Sequence, residues 1–133
     1  MLSCVKASQP RLSGAWCFFC IKEYIDNMDF QSVLKTAKST FFSETQKYQN
    51  ACQKEVLIDN EECFRAIVEW KKCTGELLVE RSDFTPYRYV SFNILSIEKD
   101  ESVFCYYDSE ESLEEIADKI KEGFCSASQM LQQ

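Results

Sequence analysis

Histidine is absent from the chain. Its absence removes Ser–His and Cys–His nucleophile pairs, imidazole metal ligands and the commonest general base. Glycine occurs only at Gly14, Gly75 and Gly123, too far apart to form a loop that cradles phosphate. With three glycines and two prolines in 133 residues, the composition is not that of a disordered chain. No apolar run approaches the ~20 residues of a transmembrane helix. No N-x-S/T sequon is present, and Ala15 to Ile21, the one apolar run near the N-terminus, is short for a signal sequence and lacks a small-residue cleavage site. The net charge is −7, from 22 acidic and 15 basic residues. The basic residues are scattered, so the chain carries no electrostatic footprint for nucleic acid or an anionic membrane.

Aromatic residues and cysteines are plentiful. Ten Phe and six Tyr argue for a packed core in a single domain, or a domain with a small helical appendage. The eight cysteines are Cys4, Cys17, Cys20, Cys52, Cys63, Cys73, Cys105 and Cys125. An even count suits a disulfide framework in a secreted protein. Here the cysteines sit inside apolar patterns, as small buried thiols do, and a reducing compartment, the cytoplasm, is expected. The nucleus is a second compartment. A mitochondrial presequence is the sharper reading of the basic, acid-free segment 1–14, and a flexible tail is the plain one.

The most consistent signals lie between Tyr87 and Leu131. Leu113, Ile116, Ala117, Ile120, Phe124, Ala127 and Leu131 fall on one stripe of a 3.6-residue helix. Asp108 or Ser109 serves as N-cap, and with Asp108 as cap Glu111 completes a capping box. The acids from Asp108 to Asp118 read as a solvated, dipole-matched helix face rather than a cation site, because they lack the loop glycine of an EF-hand. Gly123 weakens this helix by about 1 kcal/mol relative to alanine. Before it, Val90, Phe92 and Ile94 alternate with Tyr89, Ser91, Asn93 and Leu95. The charged turn Glu98-Lys99-Asp100-Glu101 follows. Val103, Cys105 and Tyr107 then alternate with Phe104 and Tyr106. This is the pattern of an antiparallel hairpin.

Upstream, Phe18, Ile21, Tyr24, Ile25 and Met28 follow helical spacing. Asn27-Met28-Asp29 suggests a break, and Phe30, Val33, Leu34, Ala37 and Phe41 continue a stripe. This helical pair loosely resembles a LisH dimerisation motif. A polar stretch runs from Ser43 to Lys54. A further helix is expected over Asn60 to Lys72, with Cys63, Phe64, Ile67 and Val68 inward, although Ile67-Val68-Glu69-Trp70 also suits a strand. Glu76 to Arg81 reads as a short strand. The expected fold is therefore α+β: N-terminal helices, a small antiparallel three-stranded sheet and a long C-terminal amphipathic helix. Its parts are a tail (1–14), a helical region (15–62) and an interaction module of hairpin, sheet and C-terminal helix (63–133).

Cys17-Phe18-Phe19-Cys20 is a CxxC. It could be half of a zinc site or a redox pair. No second CxxC accompanies it and no βαβ context surrounds it, so the plain reading is one buried thiol and an accidental spacing.

From about Phe64 to Leu131 the order of parts resembles a COMM domain. Trp70-Lys71 matches the tryptophan and basic residue of that family's first strand. Pro86 and Tyr87 to Ile97 match its second strand, Ser102 to Tyr107 its third, and Ser109 to Leu131 its long helix. Lys72 and Cys73 depart from the acidic residue the family commonly carries after the tryptophan. The resemblance implies a module that pairs with a related domain in an assembly for endosomal cargo recycling or ubiquitin-linked regulation. A rival resemblance is the RWD-like fold of kinetochore and ubiquitin-system adaptors: a helix, an antiparallel meander, a helix.

The expectation is thus a non-catalytic adaptor with a protein partner, as a homo- or hetero-dimer, with no cofactor, metal, nucleic acid or membrane span. A hairpin with apolar groups on both faces has one face for its helix and one for a partner. The candidate contact residues are Trp70, Tyr89, Leu95, Phe104 and Tyr106. A small thiol or zinc protein using Cys17 and Cys20 is the alternative.

Overall fold

The computed structural model describes residues 14–81, 88–109 and 111–130, with side chains from residue 29 onward. Among them are two helices and five strands: α1 (Gly14–Lys47), β1 (Cys52–Asp59), β2 (Cys63–Trp70), β3 (Cys73–Glu80), β4 (Val90–Ser96), β5 (Ser102–Tyr107) and α2 (Leu113–Met130). The strands form one antiparallel meander in the order β1-β2-β3-β4-β5. The class is α+β with a C-terminal helix. The three-stranded sheet expected from sequence is corrected to five strands, and the N-terminal helices to one.

α1 runs without a break through Asn27-Met28-Asp29. Asn and Asp each cost less than about 0.7 kcal/mol in a helix interior, too little to stop a helix whose later turns are anchored by burial. Internal contacts divide the chain within α1 into Met1–Ser32 and Val33–Gln133. In the first unit the described backbone is helical. In the second, α1 buries Val33, Leu34, Ala37 and Phe41.

The Asn60–Lys72 helix is also corrected. β2 buries Phe64, Ala66, Val68 and Trp70, every second residue. The helical reading used Cys63, Phe64, Ile67 and Val68, and two of those four belong to both patterns. Asn60 added to the ambiguity. Its Oδ1 accepts the N–H groups of Glu62 and Cys63 at 2.8 and 2.9 Å, much as a helix N-cap would. Here those bonds close the β1–β2 hairpin.

The C-terminal unit follows the sequence pattern except at the ends of the helical stripe, where Leu113 is 40% exposed and Leu131 lies outside the described residues. Ile116, Ile120, Phe124 and Ala127 are fully buried, as are Val90, Phe92 and Ile94, and α2 packs on β4 and β5. The charged turn after Ile97 holds Asp100 at a positive φ of 55°, a conformation Asp tolerates better than most residues. The cap lies later than expected. Ser112 Oγ accepts from Glu115 N–H, and Glu115 Oε1 accepts from Ser112 N–H. That is a reciprocal capping box.

Asp108 is used differently. Its fully buried carboxylate accepts the N–H groups of Tyr89 and Val90, both at 2.7 Å, and the Arg88 Nε–H at 2.9 Å. It ties the end of β5 to the start of β4. Gly123 also has a packing role: a Cβ there would lie 2.6 Å from the Phe92 ring and 3.0 Å from that of Phe104. The helical cost of glycine is offset by the close approach of α2 to the sheet.

Replacing Ile120 with alanine is expected to cost about 2–5 kcal/mol. Replacing Glu114, on the exposed side of α2, should cost less than about 1 kcal/mol. Urea melts compare the two directly. Equal, small effects would mean that the sheet does not hold α2.

Candidate interaction surface

The register sorts the sheet into two faces. Phe64, Ala66, Val68 and Trp70 of β2 lie opposite Val79, Leu77, Gly75 and, on the β1 side, Cys52. Phe92 and Ile94 lie opposite Tyr106 and Phe104. This is the helix-covered face: α2 packs on β4 and β5, and Phe41 of α1 meets Phe64 with ring centroids 5.8 Å apart. The second face carries Glu55, Arg65, Ile67, Glu69, Glu76 and Leu78, with Leu95 and Tyr107 45% and 49% exposed. Arg65 and Glu76 pair across it, and the other glutamates leave it acidic.

Three of the five contact residues expected from sequence belong to the covered face. Trp70 is 4% exposed, with its ring centroid 5.4 Å from that of Phe124. Phe104 is half-buried, its centroid 5.9 Å from that of Phe92. Tyr106 is buried and donates its hydroxyl to Glu111 Oε1 at 2.7 Å. Burial first, and then that bond, push the Tyr106 phenol well above its ordinary pKa. Alternation separated Phe104 and Tyr106 from Cys105 and Tyr107 correctly, while the ladder skips Val103, which was grouped with the latter; only the cross-strand register tells which set meets the helix. Of the other two, Tyr89 is half-buried under the Arg88 guanidinium, 5.1 Å from its ring centroid. Leu95 alone of the five is exposed, on the open face.

The surface that sequence reasoning missed is the edge strand β1. After Cys52 every residue of β1 is exposed. Val56, Leu57 and Ile58 are 37%, 42% and 37% exposed, three consecutive large apolar side chains. The signal was present: a β-branched and apolar run bounded by Glu55 and by Asp59-Asn60, a strand and turn signature. Among the described residues β1 pairs with β2 on one side only, and its ladder skips a residue between Val56 and Ile58. Such a bulge twists an edge and leaves one residue, Leu57, without a partner.

At the first end of β1 lies a cleft of about 420 Å³, lined among others by Asn50, Gln53, Glu69, Trp70, Lys71 and Ile97. The buried Trp70 Nε1–H has no hydrogen-bond partner among the described residues.

No group of side chains suited to a metal ion occurs among the described residues. Burial pushes the thiols of Cys52, Cys63 and Cys73 above the ordinary cysteine value, which lowers their thiolate fraction and reactivity. The Cys17–Cys20 pair falls on the helical backbone of α1, and its side chains lie outside the described residues, as does the segment 1–13. No helix among the described residues is long and apolar enough to cross a membrane. No protein-family model matches the chain, and neither a curated protein nor a solved structure matches it.

The face assignment predicts an order of thiol labelling. Cys105 and Cys125 are exposed, and Cys73 is fully buried on the covered face. Among the described cysteines, brief alkylation of the folded protein followed by peptide mapping should modify Cys105 and Cys125 first. Cys73 should react only at the rate of unfolding. Early labelling of Cys73 would contradict the register of β3.

Proposed function

We propose that the chain is a non-catalytic protein–protein interaction module, an adaptor subunit that dimerises or joins a multiprotein complex. One observation carries this reading: three consecutive apolar residues, Val56, Leu57 and Ile58, stand exposed on an edge strand. A free edge offers unpaired backbone groups and is a template for another chain, so proteins normally shorten it, charge it or cover it. Here the apolar run lies in its middle. Strand addition at such an edge draws affinity from backbone hydrogen bonds and specificity from alternate side chains. The acidic open face and the net charge of −7 favour a protein partner over nucleic acid.

Two family resemblances give this reading a context. The Trp70 strand and the succession β4, β5, α2 support a COMM-like subunit in endosomal trafficking or ubiquitin-linked regulation, in the cytoplasm. The order helix, antiparallel meander, helix supports an RWD-like adaptor of the kinetochore or the ubiquitin system.

Affinity capture with wild type and with Ile58→Glu as the control tests the reading. The wild type should retain a defined protein, or an untagged copy of itself. The variant should recover at least ~10-fold less, the loss expected when a central interface contact is removed. Equal recovery by the two proteins, or no specific protein with either, would contradict it.

A further inference from the structure

We infer that the outer edge of β1 pairs with the same edge of a second copy of this chain, antiparallel, with Val56 on the two-fold axis. The inference rests on the interaction-module reading and names its partner.

The bulge fixes the geometry. Because Val56 pairs with Ala66 and Ile58 with Arg65, Leu57 is the extra residue and the alternation resets after it. Lys54, Val56 and Asp59 therefore share the helix-covered side, opposite Val68, Ala66 and Phe64. Gln53, Glu55 and Ile58 share the open side, opposite Glu69, Ile67 and Arg65. A two-fold axis perpendicular to a sheet maps each face onto itself, so residues directly opposite across it must come from the same side. With Val56 on the axis, Glu55 faces Ile58 of the second copy. Lys54 faces Asp59 of the second copy, and the same pair recurs on the other side of the axis. Opposite charges directly across an antiparallel pair stabilise it, and like charges destabilise it. Moving the axis to Glu55 would instead set two glutamates against each other. The sequence of the strand is thus self-complementary in one register.

The backbone agrees at the far end. Asn60 N–H donates to Cys63 O, so by alternation Asp59 turns its own N–H and C=O away from β2 and towards the new strand. Lys54 and Asp59 are exposed, and Lys38 already pairs with Asp59 from the same side. The opposite edge, β5, offers no such match: Ser102 to Tyr107 contains no charged residue. The result is a continuous ten-stranded sheet with Val56, Leu57 and Ile58 of both copies buried at its centre.

Sedimentation velocity of the purified full chain over a micromolar concentration series tests the inference. The wild type should shift from monomer to dimer. Val56→Lys and Val56→Glu each place like charges across the axis and should raise the apparent dissociation constant at least ~10-fold. An equimolar mixture of the two should restore dimer, because the axis then carries an opposite pair. Circular dichroism establishes that each variant is folded. Should either unfold, Lys54→Glu, which sets glutamate against Asp59 twice, should weaken the dimer in its place. A wild type that stays monomeric across the series would overturn the inference while leaving capture of a different protein as the open test of the broader reading. Variants that dimerise as wild type does, or a mixture that fails to recover, would overturn it as well.

Discussion

The fold depends on how closely α2 approaches the sheet at Gly123 and Phe124. Glycine lets the helix backbone settle against the rings of Phe92 and Phe104. That approach puts Phe124 among Phe41 of α1, Trp70 of β2, Phe92 of β4 and Tyr48 just after α1, with centroid distances of 5.4 to 6.2 Å. Most of these pairs are edge-to-face or tilted, geometries that add about 0.5–1.5 kcal/mol beyond area burial. One side chain thus joins elements far apart in sequence. The buried Asp108 carboxylate completes the arrangement by holding the β4 and β5 ends in register directly before α2 begins.

This concentration on one face has a consequence for the rest of the molecule. The largest fully buried side chains of the sheet, Phe64, Leu77, Phe92 and Ile94, all serve the helix-covered side. The open side is mixed and acidic, and the β1 edge keeps an exposed apolar run. A domain that folds through one side of its sheet leaves the edge available for association, and the reciprocal placement of Lys54 and Asp59 gives that edge a preferred register.

The last third of the chain was legible in sequence because its periods are unambiguous. Six positions of α2, from Leu113 to Ala127, repeat at helical spacing, and Val90 to Tyr107 alternates around a polar turn. The middle was not. Cys63 to Trp70 satisfies a helical and a strand period at once, with Asn60 bonding as an N-cap would. β1 is half polar and its first residues belong to the polar stretch Ser43 to Lys54, so its apolar trio stood without a visible period. Phe104 and Tyr106 fall on the covered face for a different reason. Alternation divides a strand into two faces but does not say which face is covered; only the register Ile94–Phe104 and Phe92–Tyr106 does, and that information is not local. Trp70 was singled out by its family resemblance, and in the fold it is a core residue beside Phe124.

The claim that one aromatic cluster locks both helices to the sheet is tested most directly by a double-mutant cycle. Phe41→Leu, Phe124→Leu and the double variant are unfolded in urea, and the interaction free energy is read from the three losses of stability. The rings of Phe41 and Phe124 are 5.8 Å apart, so a coupling of about 0.5–1.5 kcal/mol is predicted. Losses that add to within about 0.3 kcal/mol would contradict the account, because α1 and α2 would then be packed on the sheet independently of each other.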